Sequence, residues 1–597
     1  MSIMCIDMRQ KMKKNVGAIV LRSGVSFRVW APFATQVYVT GAFNNWGNQP
    51  LENEQDGYWW VFVPEAKVGQ EYKYVIENGE NILRRNDPRA MHLTTSAGTS
   101  VIASHKFDWG DDVYLPPPVE QQIIYELHVG TFNRPDPAVA GTFDEVIDKL
   151  DYLAELGVNM IELMPISSML MDRGWGYAID YIYAVESLYG GMYGFKQLVK
   201  AAHQKGIGII LDVVYNHIGP DTSLDLWQFD GWQQDGKGGI YFYNDWRAET
   251  PWGNTRPDFG RDEVRQYILD NIRMLVQDCR VDGLRVDSTI FIRNVKGSNN
   301  DPGNDLPEGW LLLQKINSIS KKINPQIITI AEDVADNEYI VKTIGEGGAG
   351  FSSQWELGFP YSLKDALHTS DPSQINLTGI CGELVRRYND DAFQRVVFVD
   401  SHDSAANSSA RFAEVISPGK AESLFARKQS LIAAGLTLTA PGIPMLFQGQ
   451  EIMEGGAFND WLGLDWKKAE RNAGIVEAYK HLTALRKNVH GISAGLTGKS
   501  INLMHVDEDN KVIAYHRWKD GGPKDDVVVI VNFGNRMHQE YVLGLPRTGT
   551  WKVRFNSTWQ GYGSDLKNIT VPDINVETGE GKIVIPPSCV LILSQDS

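Results

Sequence analysis

The chain is poor in cysteine, in positive charge and in long apolar runs. Its four cysteines, Cys5, Cys279, Cys381 and Cys589, are scattered over 597 residues and none belongs to a C-x-x-C pair. Neither a zinc motif nor a disulfide framework is signalled, and the thiols read as free in a reducing compartment. No apolar stretch approaches the ~18 residues of a membrane span. The opening "MSIMCIDMRQKMKKN" has no apolar segment of secretory length, since Asp7 breaks it and the basic residues follow it. A cytoplasmic protein is expected. Lys and Arg number 57 against 74 Asp and Glu, a net charge of −17. An acidic surface suits neither nucleic acid nor anionic membrane, so neither is expected as a partner.

Aromatic residues, by contrast, are plentiful. There are 17 Trp and 23 Tyr, several of them beside Gly, Asn or Asp in turn-like stretches. An aromatic face packs well against the apolar C–H face of a sugar ring.

A chain of this length exceeds one hydrophobic core, so several domains are expected. Residues 18 to about 110 alternate as short strands with turns between them ("VSFRVWAP", "TQVYVTG", "GYWWVFVP", "EYKYVIENG"), the pattern of a small β-sandwich. Trp46, in the turn "NNWGN", is a candidate sugar platform. The Pro-rich "YLPPPVEQ" (114–121) reads as a linker. Beyond it, near-continuous apolar strands alternate with helical patterns such as "TFDEVIDKLDYLAELG" and "GGMYGFKQLVKAAHQKG". This is the signature of a parallel sheet covered on both faces. Eight strand candidates are present: 123–130, the "NMIELMP" and "IGIILDVVYNH" segments, 282–287, 326–333, 350–356, 395–403 and 442–451. They predict a TIM (β/α)8 barrel. The last hundred residues return to β ("KVIAYHRW", "DVVVIVNFG", "TWKVRFNS"). The expected fold is thus α/β, with an N-terminal sandwich over 1–115, the barrel over 116–494 and a C-terminal sandwich over 495–597. A long insertion follows strand three at 218–260, and loops of that size are usually functional.

In such a barrel, chemistry lies at the C-terminal ends of the strands. Strand three ends in Asp212 and "YNH" with His217, and strand four in Arg285 and Asp287. Strand five ends in Glu332 and Asp333, and strand seven in Asp400, His402 and Asp403. Any single acid there is most simply structural. Carboxylates crowded at one mouth repel unless they have a task. Two of them flanking a sugar ring give retaining glycoside hydrolysis or transfer, which needs one acid ionised and one protonated. Arg285 and Asp287 stand two apart in "GLRVDSTIF", on the same side of a strand, where the guanidinium can hold the carboxylate ionised. Asp287 therefore reads as the nucleophile and Glu332, one strand over, as the acid/base.

The segments "DVVYNH" (212–217), "GLRVD" (283–287), "AED" (331–333) and "FVDSHD" (398–403) resemble, in order, spacing and strand placement, the four signature regions of the α-amylase family, glycoside hydrolase family thirteen. "GIPMLFQGQE" (442–451) resembles its eighth-strand segment, and "RGWGY" (173–177) its substrate-contacting turn. The resemblance implies Asp287, Glu332 and Asp403 as the three catalytic acids. It also implies substrate contacts from Trp175, Tyr177, Asp212, His217, Arg285 and His402. Asn216 falls on a calcium-ligand position of amylases, an ion that branching enzymes often lack; no metal or other cofactor is expected. "FRVWAP", "GAFNNW" and "NDPRA" resemble the N-terminal module of branching and debranching enzymes and of trehalohydrolases.

The resemblance divides within the family. "AEDVA" and "SHD" are similar to glycogen branching enzymes, although Asp400 stands where these carry Glu. "YELHVGTF", "YNHIGPD" and "TPWGN" are similar to maltooligosyl-trehalose trehalohydrolases. Ile290 and Phe291, in place of the Lys-His of many amylases, would give an apolar wall on the acceptor side, and excluding water there favours transfer over hydrolysis. The expected activity is 1,4-α-glucan branching on glycogen, starch-type glucan or maltooligosaccharide through a glycosyl-Asp287 intermediate. The alternative is α-glucan hydrolysis, α-amylase-like or maltooligosyl-trehalose trehalohydrolase-like.

Overall fold

The computed structural model describes residues 15–96, 98–169, 174–219, 224–369 and 371–596. Eight parallel strands close into a barrel: β1 (Ile124–Leu127), β2 (Met160–Leu163), β3 (Gly208–Val213), β4 (Gly283–Val286), β5 (Ile328–Ala331), β6 (Ser353–Trp355), β7 (Arg395–Phe398) and β8 (Ile443–Phe447). All eight lie within the stretches expected from the sequence. Alternate residues of each strand enter the barrel interior. At its lower end Ile124, Met160, Ile210, Ile328, Val396 and Ile443 pack with Ile330, Trp355, Phe398 and Met445. Two residues further along the same faces come charged groups: Glu126, Glu162, Asp212, Arg285 and Glu332. These five strands thus begin in the core and end at the site. Gly283 occupies the inward position at the foot of β4 because a Cβ there would stand 2.7 Å from both Ile210 Cγ1 and Ile328 Cγ2.

Helices cover the outside. The helical pattern after β1 is split into Phe143–Ile147 and Leu150–Leu156 by a turn at Asp148 and Lys149, and Gly157 ends it in the left-handed region at φ 93°. Glycine is favoured at that C-terminal cap because it carries no Cβ. Among the described residues, no helix is long and apolar enough to cross a membrane.

Before the barrel, a four-stranded and a five-stranded antiparallel sheet form a sandwich. Val25, Phe27 and Val29 of one sheet face Val37, Val39, Tyr74 and Ile76 of the other, all buried. This sandwich clasps the insertion after β3. Arg85 donates to the carbonyls of Trp227, Gln228 and Phe229, the N–H of Asn86 donates to Asp225, and Phe33 stacks on Trp232 at 4.6 Å. Trp46 lies on its own turn with φ 61° and is 42% exposed.

After the barrel, a six-stranded and a two-stranded sheet form the second sandwich. The run "VVVIVN" (Val527–Asn532) is apolar without alternation because both faces are covered. Val528 and Ile530 pack inside the sandwich, while Val529 and Val531 join the barrel's own core. At that seam Gly435, on the helix Leu424–Thr439, lets Val590 approach where a Cβ would meet its Cγ1 at 2.8 Å. One apolar cluster consequently runs from Val25 and Val39 through Leu127 and Leu284 to Val529 and Ile592.

Candidate active site

The centre of the site is Arg285. It is fully buried on β4 and serves three carboxylates. Nη1 donates to Asp212 Oδ2 and to Asp287 Oδ1, both at 2.7 Å, and Nη2 stands 3.0 Å from Glu332 Oε2. The flat guanidinium lies 4.4 Å above the Trp355 ring, which fixes its plane. A buried cation is costly unless it is paired, and here three strand ends share the pairing.

Asp287 follows the last residue of β4. Its Oδ1 takes Arg285, and its Oδ2 accepts from the Asn216 side-chain amide at 2.6 Å. The backbone then turns sharply: Ser288 is left-handed at φ 42°, and its N–H donates to Glu332 Oε2 at 2.8 Å. Glu332 is held from two sides, close to Asp287. Burial pushes its carboxyl up to about 8; Asp287 and Asp403 add to the shift and Arg285 opposes it. Burial likewise lifts Asp212 to about 6 against the pull of Arg285, and Tyr177 donates its hydroxyl to Asp212 at 2.6 Å. Two carboxyls share one guanidinium through different nitrogens, with burial raising one of them, and this is the kind of pair, one group ionised and one protonated, that a retaining mechanism uses.

Asp403 sits on the rim with its side chain half exposed, 3.5 Å from His402 Nε2. His402 itself is buried, stacks on Tyr177 at 5.1 Å and meets the edge of Trp175 at 5.8 Å. His217 hydrogen-bonds to the Asn216 side chain, and burial lowers it to about 4. The sequence-selected residues Trp175, Tyr177, Asp212, His217, Arg285, Asp287, Glu332, His402 and Asp403 thus form one continuous contact network at the C-terminal ends of the strands.

Two other acids of the strand ends are not part of it. Asp333 is committed to Arg293, at 2.7 and 2.8 Å, and to Thr289. Asp400 accepts from the N–H of Phe412 at 2.6 Å, where it pins the start of a helix. Both are structural. Of the two residues expected to form an apolar wall, Ile290 is buried, and the more open position belongs to Phe291. The Asn216 amide is spent on Asp287 and His217. Arg173, part of the quoted "RGWGY", lies outside the described residues.

Sequence reasoning passed over two residues. Trp252, in the insertion, lies flat on His217 at 4.7 Å and 15°, and meets Phe291 edge-on at 5.3 Å. Its "TPWGN" context was visible, but nothing in the spacing linked it to strand three. Glu126 on β1 grips His402, and the signal for it, a charge inside the apolar "IIYELHVG", was the same as for Arg285.

A closed parallel barrel with its acids converging at the C-terminal mouth is the architecture of a barrel enzyme. The α-amylase catalytic-domain model matches residues 126–225 and 220–490, the α-amylase C-terminal all-β domain model 503–596, and the carbohydrate-binding module 48 (isoamylase N-terminal domain) model 15–90. The chain belongs to the α-amylase family. It is 29% identical over 571 residues to a 1,4-alpha-glucan branching enzyme of Oceanobacillus iheyensis, covering 91% of this chain and 87% of the relative. It is 32% identical over 464 residues to a malto-oligosyltrehalose trehalohydrolase of Saccharolobus solfataricus, covering 73% of this chain and 74% of the relative. Among solved structures, a pullulanase of Anoxybacillus sp. LM18-11 complexed with maltotetraose shares the fold, with TM-score 0.73 and 21% identity over 97% of this chain and 87% of that one.

Proposed function

We propose that the protein is a retaining α-glucan enzyme that transfers glucan chains, a 1,4-α-glucan branching enzyme. The observation that carries this reading is the attachment of Asp287 and Glu332 to one guanidinium, with Glu332 raised to about 8. In the first step Asp287 attacks the anomeric carbon while protonated Glu332 gives its proton to the departing glucan oxygen. The products are a glycosyl ester on Asp287 and a Glu332 carboxylate. Esterification removes the Asp287 charge, one of the influences holding Glu332 high, so Glu332 becomes a weaker acid-holder and is suited to act next as base. It then takes the proton of an acceptor hydroxyl, which attacks the ester and frees Asp287. Nucleophile, proton and counter-charge all come from the chain's own side chains.

An α-glucan substrate is supported by the family and by the pullulanases that were solved with maltotetraose. Transfer to a glucan 6-hydroxyl is supported by relatives named as branching enzymes, which align over nine-tenths of this chain. It is also supported by the aromatic pair Trp252 and Phe291. Water is present at ~55 M, and an acceptor seated on such a wall gains the effective concentration needed to compete. The trehalohydrolase at 32% identity supports a second reading, hydrolysis. Incubation with amylose separates branching from amylase-like hydrolysis, and free trehalose released from maltooligosyl-trehalose marks the trehalohydrolase reaction. Branching lowers iodine absorbance and creates α-1,6 anomeric proton signals with few new reducing ends. Hydrolysis raises reducing ends in step with iodine loss and gives no α-1,6 signal.

A further inference from the structure

Glu126 lies beneath the site and has no part in the two-step scheme. It is fully buried on β1, an unusual place for a carboxylate. Both of its oxygens are aimed at one residue. His402 Nδ1 is 2.5 Å from Oε1, and the His402 backbone N–H donates to Oε2 at 3.1 Å. A carboxylate only accepts, so Nδ1 carries the proton of that bond. The opposite ring nitrogen, Nε2, therefore faces Asp403, 3.5 Å away at the open rim.

We propose that Glu126 is a positioning residue that acts through His402, fixing its ring so that Nε2 presents an N–H to Asp403 and to the sugar in the site. This rests on the α-glucan reading above. Stacking on Tyr177 and the edge contact with Trp175 hold the ring plane, but neither chooses which nitrogen bears a proton. Glu126 accepts from the Nδ1–H, and with the Asp403 carboxylate facing Nε2 the ring carries a proton on both nitrogens.

The surrounding charges agree. Burial pulls His402 down, yet Asp403 and Glu126 together lift it to about 9, against Arg285. His128, nearby on the chain after β1, is held neutral by burial, at about 4, so it does not compete for the acid. Glu162, the partner of Glu126 in register on β2, is raised well above the ordinary carboxyl range by burial and by Glu126, with Asp212 adding and Arg285 and His402 opposing.

The test compares Glu126→Gln, His402→Gln and the double variant, following α-glucan consumption across pH 5–10 together with thermal melting. Gln at 126 preserves size and the hydrogen bond but not the charge. Without that charge the imidazolium of His402 should lose one of its two protons within the assay range. We expect kcat/KM to fall by the order of 10- to 100-fold, as for other carboxylates that orient a functional imidazole. The alkaline limb should move below that of the wild type, because a group required in its protonated form now titrates lower. In the double variant the limb should return to that of His402→Gln, with kcat/KM no lower than in that single variant, since the only path for the Glu126 effect has been removed. Additive losses, or a lowered melting point with the limb unmoved, would overturn the proposal and leave Glu126 a structural residue. Absence of any wild-type activity on α-glucans would instead sink the functional reading itself.

Discussion

Trp252 covers the face of His217, with ring centres 4.7 Å apart, although 34 residues of insertion separate them. Trp252 is 39% exposed, and Phe291 supports its edge. An aromatic face held this way is positioned to take an incoming sugar.

Trp252→Ala should therefore reduce transfer more than hydrolysis. Loss of one ring–sugar contact is of the order of 1 kcal/mol, a several-fold fall in the ratio of new α-1,6 linkages to new reducing ends. The melting point should stay near wild type, since the residue is part exposed. An unchanged ratio would place the acceptor elsewhere.

The three acids and their arginine should separate activity from stability. Asp287→Asn, Glu332→Gln and Asp403→Asn are each expected to cut turnover by several orders of magnitude and, when compared at pH 5, to melt close to wild type. Arg285→Met is the opposite case. It leaves Asp212, Asp287 and Glu332 buried together without their cation, a change of about 3–5 kcal/mol in systems of this kind. Calorimetry that finds the arginine variant as stable as Asp287→Asn would show the guanidinium to be dispensable for charge balance.

The acid/base assignment has a pH signature. The first step needs Glu332 protonated, so kcat/KM should decline as pH rises through about 8. Stability is linked to the same proton. Because the folded value lies above the unfolded one, near 4.5, the stabilising contribution is complete below about pH 4.5 and is lost as pH rises through 8. Gln cannot ionise and escapes that loss. The melting point of Glu332→Gln relative to wild type should thus rise between pH 5 and pH 9. A flat difference would mean that the carboxyl is already ionised at neutrality.

Much of this was legible in the chain. A strand that begins apolar and ends charged, such as "GLRVD" or "IITIAED", announces both the barrel wall and the site at its rim. The periodicity could not tell which acid at a strand end turns inward. Asp400 and Asp333 sit beside His402 and Glu332 in sequence, but they are drawn off by Phe412 N–H and Arg293, partners that only the folded chain brings near. Glu126 was hidden for a different reason: a lone charge in an apolar strand gives no hint of a partner 276 residues away. Trp252 was missed because stacking across an irregular insertion has no period to read.

The unbroken apolar cluster that joins both sandwiches to the barrel bears on how this chain can be recombined. Side chains such as Val529 and Val590 complete an interior that is not their own. A chimaera that swaps in the C-terminal segment of a distant relative would have to match that shared interior residue by residue, or leave gaps where Gly435 now admits Val590. The three parts would then be inherited, and would melt, together.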